Sequence, residues 1–157
     1  MTTLLALDPG GQPTALKSRS ATGYSLWHYD AISPLTPIRH GQVKGNEDVF
    51  IDWWRDEPAH WDIDEVVCEK FVIDGRTSRP DITPKAIEGA LKALWDGPIA
   101  FQANTFKTHM TDANIKRLGL WWTAEPHATD SLRHAWAAMK VRLHGPTMQV
   151  AWPIRAL

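Results

Sequence analysis

The sequence predicts an α/β fold: a mixed five-stranded sheet, an antiparallel meander plus parallel strands, flanked by helices. Three observations carry this. Three strand-like stretches fall within the first 43 residues, separated by turn-rich segments. Beyond them, stretches of helical period alternate with short β-branched or apolar ones, so the order reads βββ-α-β-α-β-α-α. At 157 residues and 43% hydrophobic, the chain fits one domain with a real core.

Leu4–Leu7 is the first strand, four apolar residues running into Asp8, with Pro9-Gly10 expected to break it. Residues 10–21 read as a polar loop. Thr22–Tyr29, rich in aromatics, is the second strand, and Ile38–Val43 the third. Asn46 is placed to cap a helix whose apolar face is Val49, Phe50, Trp53 and Trp54, ending at Pro58. Glu65–Ile73 is a strand, and residues 74–82 a loop. Thr83-Pro84 reads as a capping hydroxyl and first-turn proline, followed by the stripe Ile87, Ala90, Leu91, Leu94 and Trp95, with Gly97-Pro98 as the stop. Ile99–Ala103 is a short strand, and Thr111–Leu118 a helix closed by Gly119. Thr129 is expected to cap a last helix from Asp130 to Leu143, with Leu132, Ala135, Trp136, Met139 and Leu143 facing inward and Gly145-Pro146 ending it.

Composition narrows the class. No apolar run approaches the ~20 residues of a bilayer span, and no basic region leads into a long apolar core, so a cytoplasmic protein is expected. Cys68 is the only cysteine, which excludes an internal disulfide and argues against a cysteine-based zinc finger. Net charge is −1, against a simple nucleic-acid binder. Its distribution is uneven: residues 1–69 carry 5 Lys and Arg against 11 Asp and Glu, and residues 70–157 carry 12 against 7. That asymmetry fits either one basic face or an ordinary mixed surface.

Asp8 is the first chemical signal. A carboxylate at the end of a buried strand needs a partner, because an unpaired buried charge costs several kcal/mol or is neutralised. Asp8 therefore caps a turn or holds a cation. Glu69 is the odd charged group in a mainly apolar strand; alternation sets Val67, Glu69 and Phe71 on one side and Val66, Cys68 and Lys70 on the other. It either joins a site or pairs with a lysine. His127 and Asp130, three apart, fall on one side of a helix start. There Asp130 serves the helix dipole or a site, and His127 is a loop residue or a ligand. If the first and fourth strands are neighbours and the last helix crosses them, all four converge.

In order, Leu-Asp-Pro-Gly, Thr-Gly-Tyr-Ser, Val-Cys-Glu-Lys-Phe and His-Ala-Thr-Asp-Ser-Leu resemble the RuvC family of Holliday-junction resolvases, over Leu4 to about Leu143. The resemblance implies a single ribonuclease H-like nuclease domain over residues 1–157, and the small size suggests a phage-type member. It implies that Asp8, Glu69, His127 and Asp130 are catalytic and metal-binding, holding Mg2+, two ions, with Mn2+ able to substitute. Two features depart from the family: a longer loop after Asp-Pro-Gly, and the lack of basic character.

Such chemistry suits these residues. A phosphodiester repels hydroxide, and two divalent cations ~4 Å apart clamp the attacking and leaving oxygens. Mg2+ prefers carboxylate oxygen. The expected reaction is hydrolysis of branched DNA, a four-way junction above all, to 5′-phosphate and 3′-hydroxyl ends. Two symmetric cuts imply a homodimer. Candidate DNA contacts are Lys70, Arg76, Arg79 and Lys85 around the loop after Glu69, with Lys107, Lys116 and Arg117 elsewhere. Phe71 is read as core in preference to a base-stacking residue. The nine tryptophans mostly take core positions, except Trp121-Trp122, beside the expected site and without an assigned role.

Other functions remain at this level. A flap or fork endonuclease shares the chemistry. A ribonuclease H-like nucleotide-binding protein would use Asp-Pro-Gly and Thr-Gly for phosphates. The chain is short for the second lobe this needs, and it lacks G-x-x-x-x-G-K-[ST] and G-x-G-x-x-G. A non-catalytic DNA-binding scaffold would leave Asp8, Glu69 and Asp130 unused.

Overall fold

The computed structural model describes residues 1–10, 20–73, 75 and 81–153. Five strands form one sheet in the order β3-β2-β1-β4-β5: β1 Thr2–Gly10, β2 Ala21–Tyr29, β3 Thr36–Lys44, β4 Glu65–Glu69 and β5 Ile99–Gln102. β1, β2 and β3 pair antiparallel, and β4 and β5 run parallel to β1. The helices are α1 Glu47–Asp56, α2 Thr83–Leu94, α3 Asp112–Arg117, α4 Pro126–Val141 and α5 Gly145–Ala151. The expected mixed sheet flanked by helices is thus the fold.

Strand alternation divides the core in two. Leu5 and Leu7 of β1, Leu26 of β2, and Val66 and Cys68 of β4 pack with Phe50 and Trp54 of α1 and Ile87 and Leu91 of α2. Leu4, Ala6, Trp27 and Val67 pack with Leu132, Ala135, Trp136 and Met139 of α4. Asp8 continues the Leu4-Ala6 row and Glu69 the Val67 row, so both carboxylates face α4. Leu7 is level with Cys68 across the parallel pair, which sets Asp8 beside Glu69.

Row 23-25-27 of β2 meets α4 turn by turn. At Gly23, an added Cβ would lie 1.9 Å from the His127 carbonyl carbon and oxygen, so only glycine lets the helix start so close. One turn on, Ser131 Oγ donates to Ser25 Oγ at 2.9 Å. Beyond that, Trp27 and Trp136 meet edge to face, centroids 6.1 Å apart.

Several sequence expectations are corrected. Pro9-Gly10 does not break β1, because Pro9 and Gly10 stay in register with Thr22 and Ala21. β4 ends at Glu69 instead of Ile73: β5 runs out at Gln102, opposite Glu69, and Val72 and Ile73 are exposed. Thr83 lies inside α2, whose entry is fixed by Asp81 Oδ1 accepting from the Thr83 N–H at 2.9 Å. α4 begins at Pro126, three residues before the expected cap; proline suits the first turn, where an N–H has no helical partner. Thr129 Oγ1 instead donates to the Glu125 carbonyl at 3.1 Å. Leu143 is left-handed and exposed, outside the inner face. Gly145-Pro146 opens α5 instead of ending the chain's helices, and the 3-10 segment Asn104–His109 was not expected. Asn46 does cap α1, accepting from the Val49 N–H, but Val49 is exposed. Of the loop expected over residues 10–21, Gly10 and Ala21 belong instead to β1 and β2 and residues 11–19 lie outside the described residues, as do residue 74 and residues 76–80 of the loop expected over 74–82.

Among the described residues no helix is long and apolar enough to cross a membrane.

Candidate metal centre

Three elements bring carboxylates to one point. Asp8 comes from β1, Glu69 from β4, and Asp130 from the first turns of α4. Lys107, on the 3-10 segment after β5, supplies the cation between them. Its Nζ lies 2.9 Å from Asp8 Oδ1, 2.6 Å from Glu69 Oε2 and 3.1 Å from Asp130 Oδ2. Sequence reasoning assigned Lys107 to phosphate contacts elsewhere; the fold instead sets its ammonium at the centre of the acidic cluster. Nothing in the sequence marked it, because the segment that carries it lacks a helical or strand period.

Two imidazoles complete the cluster. His127 Nδ1 is 3.1 Å from Asp8 Oδ2, and its backbone N–H donates to Gln42 Oε1 at 2.9 Å. That bond from β3 satisfies one of the free amides at the start of α4, which has no side-chain cap at Glu125. His134, missed in the sequence reading, is fully buried one turn beyond Asp130. Its Nε2 lies 3.0 Å from Glu69 Oε2 and its Nδ1 2.8 Å from Gln102 Oε1. Potential ligand atoms of Asp8, Glu69 and His134 lie within 4.8 Å of one another. Spacing of four from Asp130 and seven from His127 was the available signal for His134, since such residues share a helix face.

Arg133 buttresses Asp130 from outside. Its Nε donates to Asp130 Oδ1 at 3.1 Å, and its other nitrogens engage Asp112 and the Met110 carbonyl.

Electrostatics follow from burial and crowding. Desolvation raises the Asp8 pKa above its usual value; His127 opposes this and Glu69 adds to it. Burial pushes Glu69 up as well, yet its hydrogen bonds with His134, Asp8 and Lys107 hold it down to about 2. Burial disfavours the Lys107 ammonium, but Asp8 and Glu69 outweigh that and raise its pKa above the ordinary lysine range. The hydrogen bond to Asp8 raises the pKa of His127.

The remaining candidates are scattered. Lys70 is exposed just past β4, and Phe71 is half-buried outside both core clusters, so its reading as core is corrected. Lys85 pairs with Glu88 on α2 at 3.1 Å. Arg117 donates to the Val150 and Ala151 carbonyls at the end of α5. Lys116 lies 4.5 Å from the Trp121 ring centroid. Arg76 and Arg79 lie outside the described residues.

Comparison with protein-family models and with curated proteins gives no match. Among solved structures, Thermus thermophilus RuvC in complex with Holliday junction substrate aligns at a TM-score of 0.61 and 14% identity, covering 93% of this chain and 98% of that one. A further Thermus thermophilus RuvC structure aligns at 0.58 and 13%, covering 90% and 96%. The fowlpox virus resolvase in complex with Holliday junction DNA aligns at 0.58 and 15%, covering 88% and 99%. The chain thus has a ribonuclease H-like fold. Within that class, it is the form of the fold seen in the Thermus thermophilus RuvC structures.

Proposed function

We propose that the whole chain, residues 1–157, is one metal-dependent nuclease domain that cuts branched DNA, four-way junctions foremost, and that it works in the cytoplasm. One observation carries the reading: oxygens of Asp8, Glu69 and Asp130 converge on a single cation at 2.6–3.1 Å. Lys107 Nζ here stands where a hard divalent ion would find three carboxylate ligands. That donor set suits Mg2+ and, with imidazoles close by, Mn2+. The likeness in fold to two resolvases solved with junction DNA supports the substrate class.

Asp8, Glu69 and Asp130 would hold the metal, with His127 and His134 at its flanks. Bound there, divalent metal supplies the Lewis acidity that activates water and stabilises the departing oxygen of a phosphodiester. His127, hydrogen-bonded to Asp8 through Nδ1, orients the attacking water. Water adds to phosphorus, the 3′ oxygen leaves, and the ends are 5′-phosphate and 3′-hydroxyl. Lys70, Arg76, Arg79 and Lys85 neutralise phosphates of the DNA. Two symmetric cuts across a junction call for a two-fold homodimer.

The test is incubation with end-labelled synthetic junction, fork, flap and duplex DNA in Mg2+ or Mn2+. Paired symmetric nicks on the junction are expected, and Asp8→Asn should abolish them while junction binding survives. Preferential cutting of forks or flaps would reassign the substrate. Wild-type rates in Asp8→Asn would remove Asp8 from the chemistry.

A further inference from the structure

Trp121 and Trp122 take no part in the cluster of carboxylates, yet they stand at its edge. Trp121, Trp122, Ala124, Pro126, Thr129 and Asp130 line a cavity of about 210 Å³. Asp130 therefore belongs to two places at once: one oxygen contacts Lys107 and the side chain borders the cavity.

The cavity walls are fixed by contacts from three sides. Trp122 stacks on His40 of β3, centroids 3.8 Å apart and planes 7° from parallel. His40 Nδ1 in turn lies 2.7 Å from Glu125 Oε2, across the turn that leads into α4. Trp27 of the core lies against Trp122, centroids 6.0 Å apart. Between the tryptophans and the helix, Ala124 holds a φ of 64°, a left-handed conformation that a residue with a Cβ rarely adopts. Trp121 itself is 41% exposed, a large ring left facing water. Lys116 sets an ammonium 4.5 Å from its centroid. Arg133, also on the wall, has its guanidinium engaged by Asp130, Asp112 and the Met110 carbonyl.

We propose that this cavity receives one unpaired nucleobase of the branched DNA, stacked on Trp121, with the adjoining phosphate against Lys116. The inference rests on the nuclease reading above and deepens it. A flat aromatic ligand suits an exposed indole, and every base offers a π-face, so stacking needs no particular sequence. A cation over one face of that ring matches the anion that accompanies each base, and leaves the other face for the base. Continuity through Asp130 specifies which base: one so near the candidate metal centre belongs to a nucleotide flanking the bond to be cut. Branch points, unlike continuous duplex, hold bases that can leave the stack at little cost.

The experiment uses the full chain and four-way junctions carrying 2-aminopurine at one branch-point position at a time, bound without cleavage in EDTA. One position should change fluorescence on binding. Trp121→Phe should keep that change. Trp121→Leu, apolar but without a ring, should lose it and bind junction about tenfold more weakly. Circular dichroism melts confirm that each variant is folded; if Trp121→Leu is not, Lys116→Ala decides, since it should bind junction more weakly and with a shallower salt dependence, and unchanged binding overturns the proposal. Wild type that binds and cuts junctions, with Trp121→Leu giving the same fluorescence, affinity and cut positions, overturns the cavity proposal alone. Wild type that neither binds nor cuts junction, fork or flap DNA overturns the nuclease reading, and this proposal with it. Tryptophan emission that depends on protein concentration without DNA in wild type but not in Trp121→Phe would mean a second copy fills the cavity, which also overturns it.

Discussion

Lys107 Nζ lies 2.6 Å from Glu69 Oε2, the shortest of its three carboxylate contacts. An ammonium so placed neutralises charges that would otherwise repel one another in a largely desolvated pocket. It also occupies the point on which the three carboxylates converge, so a divalent ion bound as proposed would compete with this ammonium for the same oxygens.

Replacing Lys107 separates those two effects. Lys107→Met should tighten Mn2+ or Mg2+ binding by about tenfold or more, since even a screened unit charge a few ångströms away is worth more than 1.4 kcal/mol. The metal-free variant should be less stable by about 3 kcal/mol, the scale for a buried ion pair that loses one partner. Calorimetric titration and thermal melts in EDTA read the two separately. Unchanged metal affinity would mean that Lys107 does not compete with the ion.

His134 positions the Glu69 carboxylate. Fully buried, it bridges Gln102 Oε1 at 2.8 Å and Glu69 Oε2 at 3.0 Å, fixing the Glu69 carboxylate from behind. Groups that orient a ligand in this way are worth about 10- to 100-fold in metal affinity. His134→Ala should therefore weaken Mn2+ binding on that scale, and Gln102→Ala should do so less. His134→Ala that lowers the melting temperature but leaves metal affinity intact would reduce His134 to packing.

The sheet was legible because its strands carry simple signals. Alternation put Glu69 on one face of its strand, and the parallel register sets Asp8, at the end of the neighbouring strand, on that same face. Asp130 and His127 were legible through their three-residue spacing, although the helix that holds them starts earlier than its polar residues indicate. Lys107 and His134 were hidden for different reasons. Lys107 sits in a 3-10 segment whose place depends on packing against α4, a tertiary fact. His134 lies in a row of apolar residues, and only the approach of Glu69 and Gln102 from two other strands gives its nitrogens partners.

Gly23 tests whether the centre depends on how closely α4 meets β2. A Cβ there would lie 1.9 Å from the His127 carbonyl, a backbone group that no side-chain rotation relieves. Gly23→Ala should cost about 3 kcal/mol, the upper range for overpacking. It should also push His127 and Asp130 away from Asp8, weakening divalent binding in protein that remains folded. Melts and metal titration on the same sample check both. A variant as stable as wild type would show that α4 shifts along the sheet without penalty.

The pH dependence of the metal-free protein follows from His127. Its hydrogen bond to Asp8 raises its pKa in the folded state above the ordinary imidazole value of 6.5. The folded protein therefore holds this proton more tightly than the unfolded chain does. The resulting stabilisation is fully present below pH 6.5 and is lost as pH rises through the raised folded value. His127→Asn removes the titrating group, so in EDTA the gap in melting temperature between wild type and variant should be widest near pH 6 and narrow towards pH 9. A gap that stays constant over this range, or widens with pH, would mean that His127 is not held protonated by Asp8. Saturating Mn2+ should lift the melting temperature of wild type most at the alkaline end, where protons no longer compete for the site.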